Sequence, residues 1–240
     1  MATSRARRPS CRLPLTPALG DEPWLAQLGL KKQGRALTEA DKERIAFHES
    51  GHALVALSMA HSDPVHRVTI IPRSVGSLGA TLQLPEIERY MMTRDELRDR
   101  ICTLLGGRAA EEIACGDVST GAENDFERAT EIARQMVCRF GMSEKLGLVT
   151  YGRTGPARYA GFHDAVEDRR CSEATSRAID AEIFAILSTE HTRARAVLRE
   201  RRAALDGIAR LLLAKETIER ADLEAIVRAH ARAAAAAPRT

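Results

Sequence analysis

Apolar residues recur at helical spacing over most of this chain and at strand spacing over one short stretch. From Thr38 to about Ala60 they lie nearly all round a helix, at Ile45, Phe47, Ala53, Leu54, Val55 and Leu57. A helix of that kind is expected to be buried on every side. Thr38, with Asp41 three residues on, opens it in the manner of a capping box. Val65 to Ile71 and Ala80 to Leu84 are β-rich runs on either side of a glycine-containing loop, Arg73 to Gly79, and read as a hairpin. Thr93 with Glu96 is a second capping box, whose helix is lined by Leu97, Ile101, Leu104 and Leu105 and ends near Gly116. A third helix spans about Asn124 to Phe140, with Gly141 as its stop. Its predicted buried stripe is Phe126, Ala129, Ile132, Ala133, Met136, Val137 and Phe140. Residues 152–170 show no periodicity and read as a loop. From Ser172 the chain reads as helical, with Ile179, Ile183, Ile186 and Leu187 in one stripe and Leu205, Ile208, Leu211 and Leu212 in another. The pattern predicts a mainly α fold with a small β-hairpin after the first helix.

Residues 1–36 read as a disordered or extended segment, 37–230 as one domain and 231–240 as an Ala-rich tail. Arg5, Arg7, Arg8 and Arg12, with no acid before residue 21, also fit an organelle transit peptide. Pro9, Pro14 and Pro17 interrupt the amphipathic helix such a peptide would need, which favours the tail. Hydrophobic content of 44% and charged content of 29% are those of an ordinary globular protein, and 4% aromatics argues against base-stacking nucleic-acid platforms. Residues 1–40 hold seven Lys/Arg against three Asp/Glu, so the net charge of +3 sits in that segment. The remaining body has no overall pull toward nucleic acid or anionic lipid. Five scattered cysteines without C-x-x-C fit a reducing compartment, the cytoplasm. No apolar run approaches the about 20 residues that span a bilayer.

The buried first helix carries His48-Glu49-Ser50-Gly51-His52, an H-E-x-x-H motif. Two histidines four apart project from one helix face and can hold one metal ion, and the interposed glutamate can polarise a metal-bound water. Burying these groups without partners would cost several kcal/mol, and zinc satisfies the imidazole lone pairs. Gly51 in mid-helix costs about 1 kcal/mol against Ala, which points to close approach of another element. A catalytic zinc site needs a third protein ligand. A histidine six residues past the second is absent, since Ser58 stands there, and His61 and His66 read as surface residues. Asp125, near the start of the third helix and bordering its apolar stripe, is one candidate, equally explained as a helix-dipole partner. Glu111 and Glu112 are its rivals, and spacing leaves the choice open.

His48-Glu49-Ser50-Gly51-His52-Ala53, the run Asp63 to Pro72, Leu105-Gly106-Gly107-Arg108-Ala109-Ala110-Glu111-Glu112, Ser119 to Asp125, and Gly141 to Gly147 occur in that order. Together, from about Leu37 to Ala229, they resemble the peptidase domain of the FtsH family of ATP-dependent zinc metalloproteases. The resemblance implies a helical zinc-peptidase domain, with Zn2+ held by His48, His52 and Asp125 and Glu49 as general base. It makes Glu111 a residue that orients a ligand histidine. It further implies a homo-hexamer acting on unfolded polypeptides. The sequence departs from the family in having no G-x-x-x-x-G-K-S/T and no spanning segment. The expectation is therefore a zinc endopeptidase working with a separate AAA ATPase partner, at a membrane only through that partner. Two alternatives remain beside it: a non-catalytic adaptor of a protease ring, and a fragment of a longer ATP-dependent protease.

Overall fold

Thr38 caps the first helix, α1 (Glu39–Ala56), its hydroxyl oxygen accepting the Asp41 backbone N–H at 3.1 Å. The computed structural model describes residues 37–72, 79–84, 91–151 and 171–236, with the backbone alone for 231–236. The segment 1–36, most of the hairpin loop and the stretch 152–170 lie outside the described residues. From Ile45 to Ala56 every residue of α1 except Phe47 is buried, as its all-round apolar pattern requires. The helix stops at Ala56, short of Ala60, because the chain turns so that the His61 backbone N–H can donate to the buried Asp99.

The other elements follow as β1 (Val65–Thr69), β2 (Ala80–Gln83), α2 (Arg94–Ala114), a short 3-10 turn at Thr120–Ala122, α3 (Glu123–Cys138), α4 (Glu173–Glu200), α5 (Arg202–Lys215), β3 (Thr217–Glu219) and α6 (Arg220–Ala236). The full capping box at Thr93 and Glu96 is present. β1 and β2 form the expected antiparallel pair, with Val68 opposite Thr81. The hairpin is, however, two-thirds of a sheet ordered β2-β1-β3. β3 interrupts the run read as helical from Ser172, and three residues are too few to show strand alternation. Glu216 makes this entry: it adopts the left-handed conformation (φ 58°) after α5, and its carbonyl accepts the Ile70 N–H at 3.0 Å.

α2 is the central element. One side packs on α1, sharing a core with the sheet and α5 through Cys102, Ala109 and Ala110. The other, through Leu97, Ile101, Leu104 and Leu105, meets Ala129, Ala133, Met136 and Val137 of α3 and Ile179 and Ile183 of α4. Each fully buried Leu or Ile here contributes about 1.5–3 kcal/mol. The ends of the predicted α3 stripe are exceptions: Phe126 is 40% and Phe140 47% exposed. Phe126, in the first turn of α3, lies under the Arg108 guanidinium of α2 at 5.7 Å, while Phe140 follows the last turn.

Where α1 and α2 cross, their backbones touch. A Cβ on Gly51 would overlap the Gly106 carbonyl oxygen and stand 2.6 Å from Ala110 Cβ. This is the close approach that the mid-helix glycine announces. Gly51→Ala should therefore destabilise the fold by about 1–3 kcal/mol in chemical denaturation, despite its better helix propensity.

A second tie joins α2 and α4. Asp99 (2% exposed) accepts from His61 Nδ1 at 2.9 Å and from Arg193 Nη2 at 2.5 Å. Glu190 (1% exposed) accepts from Arg98 at 2.8 Å and from Arg193 Nη1 at 3.1 Å. Burial alone would raise the Asp99 pKa, but the Arg193 and His61 donors outweigh it and hold the carboxyl below its usual range. A lowered folded pKa means stability that is present above pH about 4 and lost as pH falls through the folded value. Asp99→Asn should cost about 1–3 kcal/mol at neutral pH. In thermal melts the gap to wild type should narrow as the solution is acidified.

Candidate metal centre

α1 carries His48 and His52 one turn apart on the face turned toward α2 and α3. Their rings meet edge to face, with Nε2 atoms 3.0 Å apart. Asp125, in the first turn of α3, brings Oδ2 to 3.2 Å from His48 Nε2 and 3.1 Å from His52 Nε2. The opposite ring nitrogens are anchored. His48 Nδ1 lies 2.7 Å from Glu111 Oε1, and His52 Nδ1 lies 2.8 Å from the Thr103 carbonyl oxygen. Glu111 is itself fixed, 1% exposed and accepting the Ser119 N–H at 2.8 Å.

These anchors decide the tautomers. A carbonyl only accepts, so His52 Nδ1 must carry a hydrogen; the Glu111 carboxylate demands the same of His48 Nδ1. In the neutral rings both Nε2 lone pairs then face each other and a carboxylate oxygen. Three acceptors within 3.2 Å of one another need a cation between them, either a proton or a metal ion. Without metal the proton serves. Burial pulls the His48 pKa down, but the hydrogen bonds with Asp125 and Glu111 and the nearby carboxylate charges carry it up to about 10. Burial would raise Asp125, but both histidines hold it far below the carboxylate range, and Glu111 is lowered in the same way by His48 and Ser119.

The trio fits a zinc ion. Two imidazole nitrogens and one carboxylate oxygen, each imidazole fixed from behind, form a donor set that leaves a coordination position open. Ligands about 2.0–2.1 Å from a tetrahedral ion stand about 3.3 Å apart, close to the spacing seen. Among the described residues this is the one such cluster of His, Cys, Asp and Glu.

Residues 35–226 match the model of peptidase family M41. The chain belongs to this family. It is 50% identical over 205 residues to the ATP-dependent zinc metalloprotease FtsH of Burkholderia pseudomallei, covering 84% of this chain and 30% of that protein. The same-named protein of Syntrophobacter fumaroxidans is 48% identical over 196 residues (82% and 30%), and that of Thermotoga maritima 44% over 199 (83% and 32%). The chain thus spans about a third of the length of these relatives.

In this M41 chain the other candidates stand apart from the trio. Glu112 turns to Arg108 at 3.0 Å and His191 at 3.4 Å. His61 serves Asp99, and His66 is half-buried on β1. Glu49, 7% exposed, accepts from the Thr81 hydroxyl at 2.8 Å through Oε2. Sequence reasoning missed the Thr103 carbonyl, Thr81 and Gly107. A main-chain acceptor leaves no trace in residue identity. The Gly106-Gly107 doublet inside a helix was a signal: a Cβ at Gly107 would stand 2.5 Å from His52 Nε2 and 2.6 Å from His48 Nε2. Gly107→Ala should fold, by circular dichroism, yet lose stoichiometric divalent-cation binding by calorimetry.

Proposed function

We propose that this chain is a zinc-dependent endopeptidase that hydrolyses peptide bonds of unfolded or flexible polypeptides. His48, His52 and Asp125 hold the ion, Glu111 orients His48, and Glu49 is the general base. The observation that carries this reading is the convergence of two imidazole Nε2 atoms and one carboxylate oxygen beside a buried glutamate in an H-E-x-x-H helix. Zinc, when bound, supplies Lewis acidity toward water and the scissile carbonyl. Glu49 accepts the proton of the attacking water and passes it to the leaving amine. β2 is an edge strand of the sheet, and its Thr81 touches Glu49. An extended substrate added along that edge would be held by main-chain hydrogen bonds, so cleavage would depend little on side chains.

The relatives named above are ATP-dependent zinc metalloproteases. On that basis we also propose that an AAA ATPase feeds substrate to this domain, and, from the family resemblance, that the domain works in a homo-hexamer. Among the described residues no helix is long and apolar enough to cross a membrane.

Casein degradation tests the reading. Activity should vanish with a chelator and return with zinc, and Glu49→Gln should lower it by about 100-fold or more with zinc content retained. Asp125→Asn should lower both zinc content and activity. Zinc-loaded wild type that, like Glu49→Gln, cleaved no casein would refute the peptidase assignment in favour of the adaptor.

A further inference from the structure

A general base has to be aimed as well as deprotonated, because a carboxylate on a long side chain turns freely about its last bond. Glu49 has no such freedom. Its Oε2 accepts the Thr81 hydroxyl at 2.8 Å, and the same hydroxyl lies 3.3 Å from the Glu49 carbonyl oxygen. The shorter contact takes the single hydrogen. Thr81 is itself fixed: it sits on β2 opposite Val68, whose side chain is fully buried in the core. As a β-branched residue in a strand it has few rotamers to choose from. Gly79 closes the other side. A Cβ there would stand 2.7 Å from Glu49 Oε1 and 2.9 Å from Glu49 Cγ, so a side chain at 79 would displace the carboxylate. The start of β2 thus grips one oxygen of Glu49 and leaves the other facing the space beside a glycine.

We propose that Thr81 is a positioning residue for the reaction: its hydroxyl holds Oε2 of Glu49 so that Oε1 is the atom that takes the proton from water. The proposal rests on the peptidase reading above. It assigns to the sheet a task besides substrate binding, since the strand that would carry the substrate also aims the base. A threonine chosen only for strand propensity would sit equally well as valine, which has nearly the same shape and a stronger β preference. That comparison is the test.

The full chain, zinc-loaded, is assayed on fluorescein-labelled casein as wild type, Thr81→Val, Thr81→Ser, Glu49→Gln and the Thr81→Val/Glu49→Gln pair. Thr81→Val should lower kcat about tenfold with KM and zinc content nearly unchanged, and Thr81→Ser should restore most of it. In the pair, Thr81→Val should cause no further loss, because the base it aims is gone. A second measurement needs no turnover. In metal-free protein labelled with carbon-13 glutamate, the Glu49 carboxyl resonance, assigned by its absence in Glu49→Gln, should move in Thr81→Val and stay close to wild type in Thr81→Ser. Unchanged kcat in Thr81→Val overturns the proposal, as does a loss that serine does not restore. If wild type were no faster than Glu49→Gln, the peptidase reading would fall and Thr81 would lose its role in catalysis. The resonance would then still report whether the Thr81–Glu49 bond exists.

Discussion

The crossing of α1 and α2 at Gly51 and Gly106 is the contact on which the rest depends. Two helix backbones meet there without side chains between them. Only at that separation can the Thr103 carbonyl and the Glu111 carboxylate of α2 reach the ring nitrogens of His52 and His48. Only there does Gly107 leave the Nε2 atoms uncovered. A wider crossing would unfasten both imidazoles at once, and the tautomers that aim their lone pairs toward Asp125 would no longer be imposed. Helix packing and metal chemistry are therefore one constraint in this chain.

The protein buries charge in two places and solves the problem differently in each. Between α2 and α4, Asp99 and Glu190 meet Arg98 and Arg193, and opposite charges neutralise each other within the chain. At the junction of α1, α2 and α3 there is no such closure. Two imidazoles and the Asp125 carboxylate converge on one point, which takes either a proton or a metal ion. The first arrangement resists change and ties the second core together. The second can exchange its proton for a metal ion, because the two Nε2 atoms and the Asp125 oxygen all face one point.

Much of the fold was legible. The all-round apolar pattern of α1 announced its burial, the Thr93 capping box announced α2, and Gly51 announced a close neighbour. β3 was not legible, because three residues between helices carry no period and are strand only through their pairing with β1. Phe126 and Phe140 were misplaced because a stripe tells direction but not how deeply its ends are covered: Phe126 lies under the Arg108 side chain and stays part-exposed, and Phe140 follows the last turn of α3. At the site, the spacing of His48 and His52 specified a pair of donors on one face, while the choice among Asp125, Glu111 and Glu112 was open on spacing alone. Adjacent Glu111 and Glu112 diverge by about 100° around α2, so one meets His48 and the other meets Arg108.

By itself the sequence determined the helices, the histidine pair and the family, because these rest on local periodicity and on residues close in the chain. The tertiary structure brings Asp125, rather than Glu112, to the histidines, as the family resemblance implies, and it alone decided which main-chain carbonyl fixes His52 and which hydroxyl meets Glu49. Those partners lie 51 residues away for the Thr103 carbonyl, 32 for Thr81 and 77 for Asp125. No local pattern encodes such distances. They close only when hydrophobic burial brings α1, α2, α3 and the sheet against one another.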